Sequence, residues 1–178
     1  MSTVQLSQLL EKYHLLGHRL YGAEPVSQLE HALQCASLAV DAQESNEMVS
    51  ACLFHDVGHL LRPDDLSSDA QHEISAANYL QKLFGHAVIQ PIKLHVDAKR
   101  YLCTIDSNYW STLSPGSKHS LQLQGGPFSE IECEEFFKQA FAAEAIRLRQ
   151  YDDLAKIPQK KTLSVDDLMP MIESCLLG

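Results

Sequence analysis

The chain of 178 residues is poor in the features that mark membrane-spanning, nucleic-acid-binding and disulfide-rich proteins. No apolar run approaches the roughly 18 residues of a membrane span, and the polar first residues do not resemble a signal peptide. Lys and Arg number 14 against 23 Asp and Glu, a net charge of −9, which leaves few cations for a nucleic-acid-binding face or a membrane patch. The five cysteines are an odd number without a CxxC pair, so we expect reduced thiols in a cytoplasmic protein.

Alternation of β-branched residues, the pattern of a strand, is almost absent, and helical spacing of apolar residues runs through the chain instead. This spacing predicts helices over residues 3–16, 27–40, 46–61, 70–84, 87–104, 130–155 and 164–176. Residues 105–128 carry turn signals and are predicted to be looser. No repeat or second domain is indicated, so the prediction is an all-α helical bundle with one domain over residues 1–178.

Nine histidines stand out, and the strongest local pattern among them is His55-Asp56 within an apolar stretch. A carboxylate buried there without a partner would cost several kcal/mol. A divalent metal would neutralise the carboxylate and would use the neutral imidazole. The alternative is that the pair simply caps or hydrogen-bonds a neighbouring helix.

Other candidate ligands are spread one to a helix over the rest of the chain: His31, His72, His95 and Asp152. Each taken alone is typical of an ordinary core or surface residue, but a helical bundle can direct such a series into its centre. Six N and O ligands without cysteine suit iron or manganese, and also zinc. Four of the five remaining histidines lack this placement and are predicted to lie at the surface: His14, His18, His86 and His119.

The order His31, His55-Asp56, Asp152 resembles the H…HD…D metal motif of the HD superfamily. The surrounding segments narrow the resemblance, among them Tyr21-Gly-Ala-Glu24, Gln71-His72-Glu73, His95-Val-Asp-Ala-Lys99 and Leu148-Arg149-Gln-Tyr-Asp152. Over residues 9–156 the chain resembles the HD-domain mixed-valent diiron oxygenases, which cleave the carbon–phosphorus bond of 1-hydroxyphosphonates.

This resemblance implies a single HD-domain bundle with a central dinuclear iron site, a mixed-valent Fe(II)/Fe(III) pair, and dioxygen as cosubstrate. One iron would be held by His31, His55, Asp56 and Asp152. The other would be held by His72 and His95, with Asp56 as the bridge. A bridging carboxylate is a common way to place two metals about 3.5–4 Å apart.

The resemblance also assigns residues to the substrate, a small-molecule phosphonate: His59, Lys99, Ser117 and Arg149. Lys99 lies four residues after His95, and Arg149 lies three before Asp152, so each would sit one helical turn from a ligand. Without the resemblance, a solvated helix face would explain these two cations equally well.

Two residues that precede the first ligand helix, Tyr21 and Glu24, are implied to guard the site. In the family, the tyrosine hydroxyl occupies the iron that substrate later chelates, and the glutamate hydrogen-bonds it until substrate displaces both. From the residues alone, an N-terminal segment that packs on the helix is the alternative. Such a guard would keep oxygen from the metal until substrate is present.

The expected enzyme is therefore a non-haem diiron dioxygenase that converts a 2-amino- or 2-trimethylammonio-1-hydroxyethylphosphonate to glycine or glycine betaine plus phosphate. Residues 60–71 form a shorter stretch than is typical of the branch that acts on the primary amine, which leaves the choice of amine open. The alternative is a metal-dependent HD phosphohydrolase, in which metal-bound water attacks phosphorus. A silent sensor is disfavoured because all six ligands are present.

Overall fold

The computed structural model describes residues 2–61 and 71–178 and confirms the all-α prediction. In these residues the helices are α1 (Ser2–Leu16), α2 (Gln28–Asp41), α3 (Asn46–Phe54), α4 (Val57–Leu61), α5 (His72–Leu80), α6 (His86–Ile105), α7 (Tyr109–Thr112), α8 (Pro115–Leu123), α9 (Glu130–Phe137), α10 (Ala142–Leu154) and α11 (Val165–Ser174). Within the same ranges, no helix is both long and apolar enough to cross a membrane.

Several helices begin where side chains satisfy the free N–H groups of the first turn. The Ser27 hydroxyl accepts from the Glu30 backbone N–H, and the Glu30 carboxylate accepts from the Ser27 backbone N–H, which fixes the start of α2. Ser164 and Asp167 form the same reciprocal pair at α11. Both capping boxes confirm the sequence prediction, because Ser followed by an acidic residue three positions later is a local signal.

Two helices that were predicted to be continuous are broken in the structure. The predicted helix over 46–61 ends at Phe54 and resumes as α4 at Val57, so that His55 and Asp56 lie at the junction. The predicted helix over 130–155 is interrupted between Phe137 and Ala142, and Phe141, with a φ of 67°, immediately precedes α10. The helix predicted over 70–84 is also shorter, since α5 ends at Leu80 and Gly85 instead caps α6.

Helix α6 lies at the centre of the bundle, where it packs against α10, α5 and α3, while α2 packs against α3 and α10. Fully buried apolar side chains such as Phe54, Ile92 and Leu148 fill the space between these helices. Because α2, α3, α5, α6 and α10 meet around one core, polar residues that point inward from them are brought to one place.

Helices α4 and α5 approach each other at a single glycine. A Cβ atom built on Gly58 would lie 2.0 Å from the backbone carbonyl oxygen of His72, so only a residue without a side chain fits here. This backbone-to-backbone contact sets the position of the first residue of α5, His72.

Candidate metal centre

Two groups of ligating side chains meet in the core and share one carboxylate. The first ligand group consists of His31, His55 and Asp56, and the second consists of Asp56, His72 and His95. Within each group the potential ligand atoms lie within 4.8 Å of one another, and all five residues are buried. Apart from Asp152, the two groups contain the residues that the sequence resemblance assigns to separate irons.

Asp56 faces each group with a different oxygen. Its Oδ1 lies 3.1 Å from His72 Nε2 and 3.5 Å from His95 Nε2. Its Oδ2 lies 3.3 Å from His55 Nε2 and 3.7 Å from His31 Nε2. The carboxylate therefore stands between the two histidine pairs, which is the arrangement required of a bridging ligand.

Backbone carbonyls fix the tautomer of three of the four histidines. His31 Nδ1 lies 2.9 Å from the Ala155 oxygen, and the Nδ1 atoms of His55 and His95 lie 2.8 and 2.7 Å from carbonyls one turn earlier on their own helices. A carbonyl oxygen only accepts, so each Nδ1 carries a proton and donates it. The Nε2 atoms of these rings are left to face the centre, as in histidines that bind metals.

The Nε2 atoms of each histidine pair face each other closely enough to bind the same cation. His31 Nε2 and His55 Nε2 are 3.2 Å apart, and His72 Nε2 and His95 Nε2 are also 3.2 Å apart. Burial lowers the pKa of His31 and of His95 to about 4, so both rings are neutral at pH 7. Neutral rings whose lone pairs converge on a carboxylate are donors for a divalent ion.

Asp56 itself is charged, and its carboxylate is surrounded mainly by histidine rings. Burial alone would raise the pKa of Asp56, but the imidazoles of His55 and His72 hold it well below its usual range. Neither of its buried oxygens accepts a hydrogen bond from the described residues. A buried carboxylate without donors is costly unless cations compensate it, so the donor set fits two divalent ions and includes iron among its suitable metals.

Asp152 stands next to the first ligand group. Its Oδ1 lies 3.4 Å from His31 Nε2, and its Oδ2 lies 2.7 Å from Arg149 Nη1. Burial would raise the pKa of Asp152, but the Arg149 guanidinium holds it well below its usual range. The carboxylate is thus kept ionised, in the form that ligates metal, at the position that the H…HD…D motif requires.

A cavity of about 420 Å³ opens beside the second ligand group. The residues predicted to guard the site or bind substrate all line it: Tyr21, Glu24, His59, Lys99, Ser117 and Arg149. His72, His95 and Asp152 also reach its wall. The structure therefore brings every predicted site residue either to the two ligand groups or to this one cavity.

The predicted substrate contacts carry positive charge deep inside an acidic protein. Lys99 is only 2% exposed, and its Nζ donates to the Ser120 hydroxyl at 2.8 Å. Arg149 is 4% exposed, but two carboxylates, Asp152 and Asp153, already occupy much of its guanidinium. Lys99 consequently has more of its donors available for an added anion than Arg149 does.

Aromatic stacking arranges the guard residue and the remaining contact. The Tyr21 ring stacks on His31 with centroids 3.9 Å apart and an angle of 10° between the planes. His59 stacks on His72 at 4.3 Å and meets the Tyr21 ring edge-on at 6.4 Å. Burial, followed by the nearby Asp152 and Asp56 carboxylates, raises the pKa of Tyr21, so its hydroxyl stays protonated at neutral pH.

Glu24 has partners other than the one that the resemblance implies. Its carboxylate accepts a hydrogen bond from the Ser114 hydroxyl and lies 3.8 Å from Lys156 Nζ. The contact between Tyr21 and Glu24 is made by the backbone, where the Glu24 N–H donates to the Tyr21 carbonyl at 2.9 Å. The two residues therefore belong to one turn, but the carboxylate of Glu24 is directed toward α8.

Sequence reasoning missed some residues of the cavity and its support. Lys156 follows Asp152 by four positions, the spacing that singled out Lys99, and this signal could have identified it. Ser114 and Ser120 carry no comparable signal in the sequence. His119 is exposed as predicted, together with the other three surface histidines, but it also lines the cavity. The short stretch over residues 60–71 falls mainly on residues 62–70, outside the described part of the chain.

Comparison with known proteins places the chain in a family. The HD domain family matches residues 29–123. A hydroxymethylphosphonate dioxygenase of Gimesia maris is 40% identical over 97% of this chain and 88% of its own length. A glycine-betaine-forming [1-hydroxy-2-(trimethylamino)ethyl]phosphonate dioxygenase of Leisingera caerulea is 34% identical over 88% of this chain and 83% of its own length. An uncharacterised protein of Acanthamoeba polyphaga mimivirus is 32% identical over 90% of this chain and 77% of its own. The chain therefore belongs to the HD domain family, in the group that includes these hydroxyphosphonate dioxygenases.

Proposed function

We propose that the protein is a diiron dioxygenase that cleaves the carbon–phosphorus bond of a 1-hydroxyphosphonate. The observation that carries the proposal is the shared Asp56, which stands between two histidine pairs beside a cavity lined by buried cations. Two relatives that span most of the chain are named as dioxygenases of such phosphonates. The reaction consumes one dioxygen, and it leaves the carbon as a carboxylate and the phosphorus as phosphate.

The proposed cofactor is a mixed-valent Fe(II)/Fe(III) pair. His31, His55 and Asp152 would hold one iron, His72 and His95 would hold the other, and Asp56 would bridge them. When bound, the iron pair would supply dioxygen activation and the removal of hydrogen from C1. The ligands are buried in a core that includes apolar residues such as Phe54 and Ile92, which limits the access of water to the metals to the side of the cavity.

The side chains of the cavity bind and orient the substrate. Arg149 and the protonated form of Lys99 neutralise the phosphonate, and the Ser117 hydroxyl and the His59 ring offer further hydrogen bonds. In this orientation the 1-hydroxyl and a phosphonate oxygen of the substrate would face the metal ligands. Tyr21, stacked on His31, occupies the entrance until substrate arrives.

The substituent on C1 is the finer part of the proposal. The 2-amino and 2-trimethylammonio substrates stay predictions from the sequence resemblance. Hydroxymethylphosphonate is a second candidate, because the described acidic residues that line the cavity, Glu24 and Asp152, lie close to the cations Lys156 and Arg149. Neither the Glu24 nor the Asp152 carboxylate is therefore free to pair with an ammonium group of the substrate.

A substrate panel tests the proposed function. Iron-loaded protein is given hydroxymethylphosphonate, 2-amino-1-hydroxyethylphosphonate and its trimethylammonio analogue, and phosphate release and oxygen uptake are recorded together. The proposal expects equal amounts of phosphate and oxygen for at least one of the three. Release of phosphate without oxygen uptake would instead support the phosphohydrolase.

The protein is expected to hold about two irons per chain, because one carboxylate is shared by two complete ligand groups. Metal analysis of protein made in iron-rich medium measures this stoichiometry. His72→Ala should reduce it to about one, since the second ligand group alone loses a donor. The exposed His86, on α6, gives the matched control His86→Ala, which should keep both irons. A stoichiometry of one iron per chain in the wild-type protein would show that there is no second metal site.

Lys99 is expected to make substrate capture sensitive to pH. Burial and, after it, the neighbouring Arg149 lower the pKa of Lys99 to about 7, so the free enzyme loses this positive charge as pH rises through that value. A neutral amine attracts the phosphonate less, and kcat/KM should fall on the alkaline side. Lys99→Arg should remove this dependence, because arginine stays charged.

The size of the Lys99 effect is measured with alanine. Lys99→Ala should raise KM about tenfold to a hundredfold, as expected for one charged hydrogen bond, and should leave the iron content unchanged. The control is Lys93→Ala, which removes an exposed lysine from the same helix. Equal KM values for the two variants would return Lys99 to a structural role.

A further inference from the structure

Lys156, just after α10, joins two parts of the site that the chain brings together from distant positions. Its side chain is 10% exposed, and its Nζ donates to the Ser117 hydroxyl oxygen at 2.8 Å. The same Nζ lies 3.8 Å from Glu24 Oε1 and 5.9 Å from the centre of the Tyr21 ring. The Lys156 ammonium group thus contacts both Ser117, which is predicted to bind the phosphonate, and the turn that carries Tyr21 and Glu24.

Glu24 fastens this turn to α8. Its carboxylate accepts from the hydroxyl of Ser114, the residue that caps α8. A Cβ atom on Gly116, in the first turn of α8, would lie 3.0 Å from Glu24 Oε1, so the carboxylate rests directly on this turn. A negative charge is stabilised at a helix N-terminus, and Lys156 adds a second attraction.

At Ser117 the two neighbouring cations determine where the hydroxyl proton points. Lys156 Nζ donates to Ser117 Oγ, and Arg149 Nη2 donates to the same oxygen at 3.4 Å. A hydroxyl has two acceptor positions and one proton. With both acceptor positions taken, the Ser117 proton is left for another acceptor, and the cavity is where an anion would supply one.

We propose that Lys156 is a positioning residue that is shared between the Glu24 carboxylate and the anion site at Ser117, so that anion binding loosens the Tyr21–Glu24 turn. The proposal rests on the proposed function in that the natural anion is the phosphonate of the substrate. An anion at Ser117 draws Lys156 toward itself and weakens its attraction to Glu24. Opening of the guarded entrance then depends on the charge of the substrate.

Inorganic phosphate is the probe that tests this coupling on iron-loaded protein kept without oxygen. Its affinity is measured by calorimetry, and the state of the turn by hydrogen exchange at the Tyr21 and Glu24 amides, which are bonded to Val26 and Tyr21 carbonyls. In the wild-type protein, phosphate should speed exchange at both amides. Lys161→Met, at an exposed lysine five residues later, is the control and should behave like the wild type.

The variants separate a shared cation from a merely structural one. Lys156→Met should weaken phosphate binding by about tenfold, the loss of one charged hydrogen bond, and phosphate should no longer change exchange in the turn. Lys156→Arg should restore most of both. Glu24→Gln removes one of the two carboxylates that lie within 4 Å of Lys156 Nζ, the other being Asp152, and should tighten phosphate binding about two- to fivefold, which a structural role for Lys156 does not predict.

Two results would overturn the proposal: phosphate affinity of Lys156→Met within about twofold of the Lys161→Met control, or no gain in affinity for Glu24→Gln. The second variant keeps Lys156 in place and decides the matter even if Lys156→Met is unfolded. If the wild type releases phosphate from none of the hydroxyphosphonates, the proposed function fails. If it turns over normally but these variants behave like their controls, only the role of Lys156 is lost.

Discussion

Replacing Asp56 with alanine is expected to remove both metals and all oxygen-dependent turnover. The carboxylate presents one oxygen to His55 and His31 and the other to His72 and His95, at 3.1 to 3.7 Å, so its loss breaks both ligand groups at once. No other ligand residue contacts both histidine pairs in this way. Metal analysis after reconstitution with iron should find close to none, whereas His72→Ala keeps one.

The same substitution should also lower the stability of the iron-loaded protein. The binding energy of the metals contributes to folding, and without the carboxylate the four buried imidazoles face one another with no compensating charge. Thermal unfolding with iron present should therefore begin at a lower temperature than in the control Asp41→Ala, at an exposed acid on α2. A variant that retains two metals and the melting temperature of the wild type would show that Asp56 is structural.

Phosphate release from the substrate is expected to stop when dioxygen is removed. The proposed reaction oxidises C1, and dioxygen is the oxidant that it consumes. Oxidation of the iron pair to Fe(III)/Fe(III) should silence the protein as well. A phosphohydrolase would release phosphate at the same rate with and without oxygen, and that outcome would overturn the oxygenase while leaving the ligand arrangement intact.

Tyr21→Phe is expected to speed oxygen uptake in the absence of substrate. The substitution keeps the ring that stacks on His31 and removes only the hydroxyl, which burial and nearby carboxylates hold in its protonated form. Tyr151→Phe is the matched control, since its hydroxyl donates to Glu44 away from the cavity. Equal rates of autoxidation in the two variants would mean that Tyr21 packs on α2 without guarding the metals.

The sequence predicted those parts of the molecule that depend on local signals or on a spaced motif. The capping boxes at Ser27 and Ser164 each span only four residues of sequence, and the structure shows both. The ligands are far apart in the chain, but each lies on its own helix, and the order of the HD motif was enough to group them. Where the fold buries polar residues in its core, composition and spacing are informative.

The helix breaks were not predictable because nothing in the local sequence requires them. The residues on either side of Phe141 favour a helix, and a φ of 67° at a bulky residue is imposed by tertiary packing. At His55-Asp56 the break likewise has no glycine or proline at the junction. Both residues at this break are buried.

Partners that lie far away in the chain were also missed. Ser114 is 90 residues from Glu24, and Lys156 is 39 residues from Ser117. A hydrogen bond between polar residues that lie so far apart in the chain produces no periodic pattern in a single sequence. The resemblance named the residues that touch substrate, whereas their supports are visible only once the helices are packed.

The contact at Gly58 makes the two metal positions unequal in their tolerance of change. Both ligand groups lie on helices that share one apolar core, but His72 alone among the ligands stands at a backbone contact in which no Cβ atom fits. A single added methyl group at position 58 would displace α5 and leave all six ligands in the sequence. A related chain with alanine at position 58 could therefore bind one metal although all six ligand residues are present in its sequence. The glycine at this position is as informative about the number of bound metals as the ligands themselves.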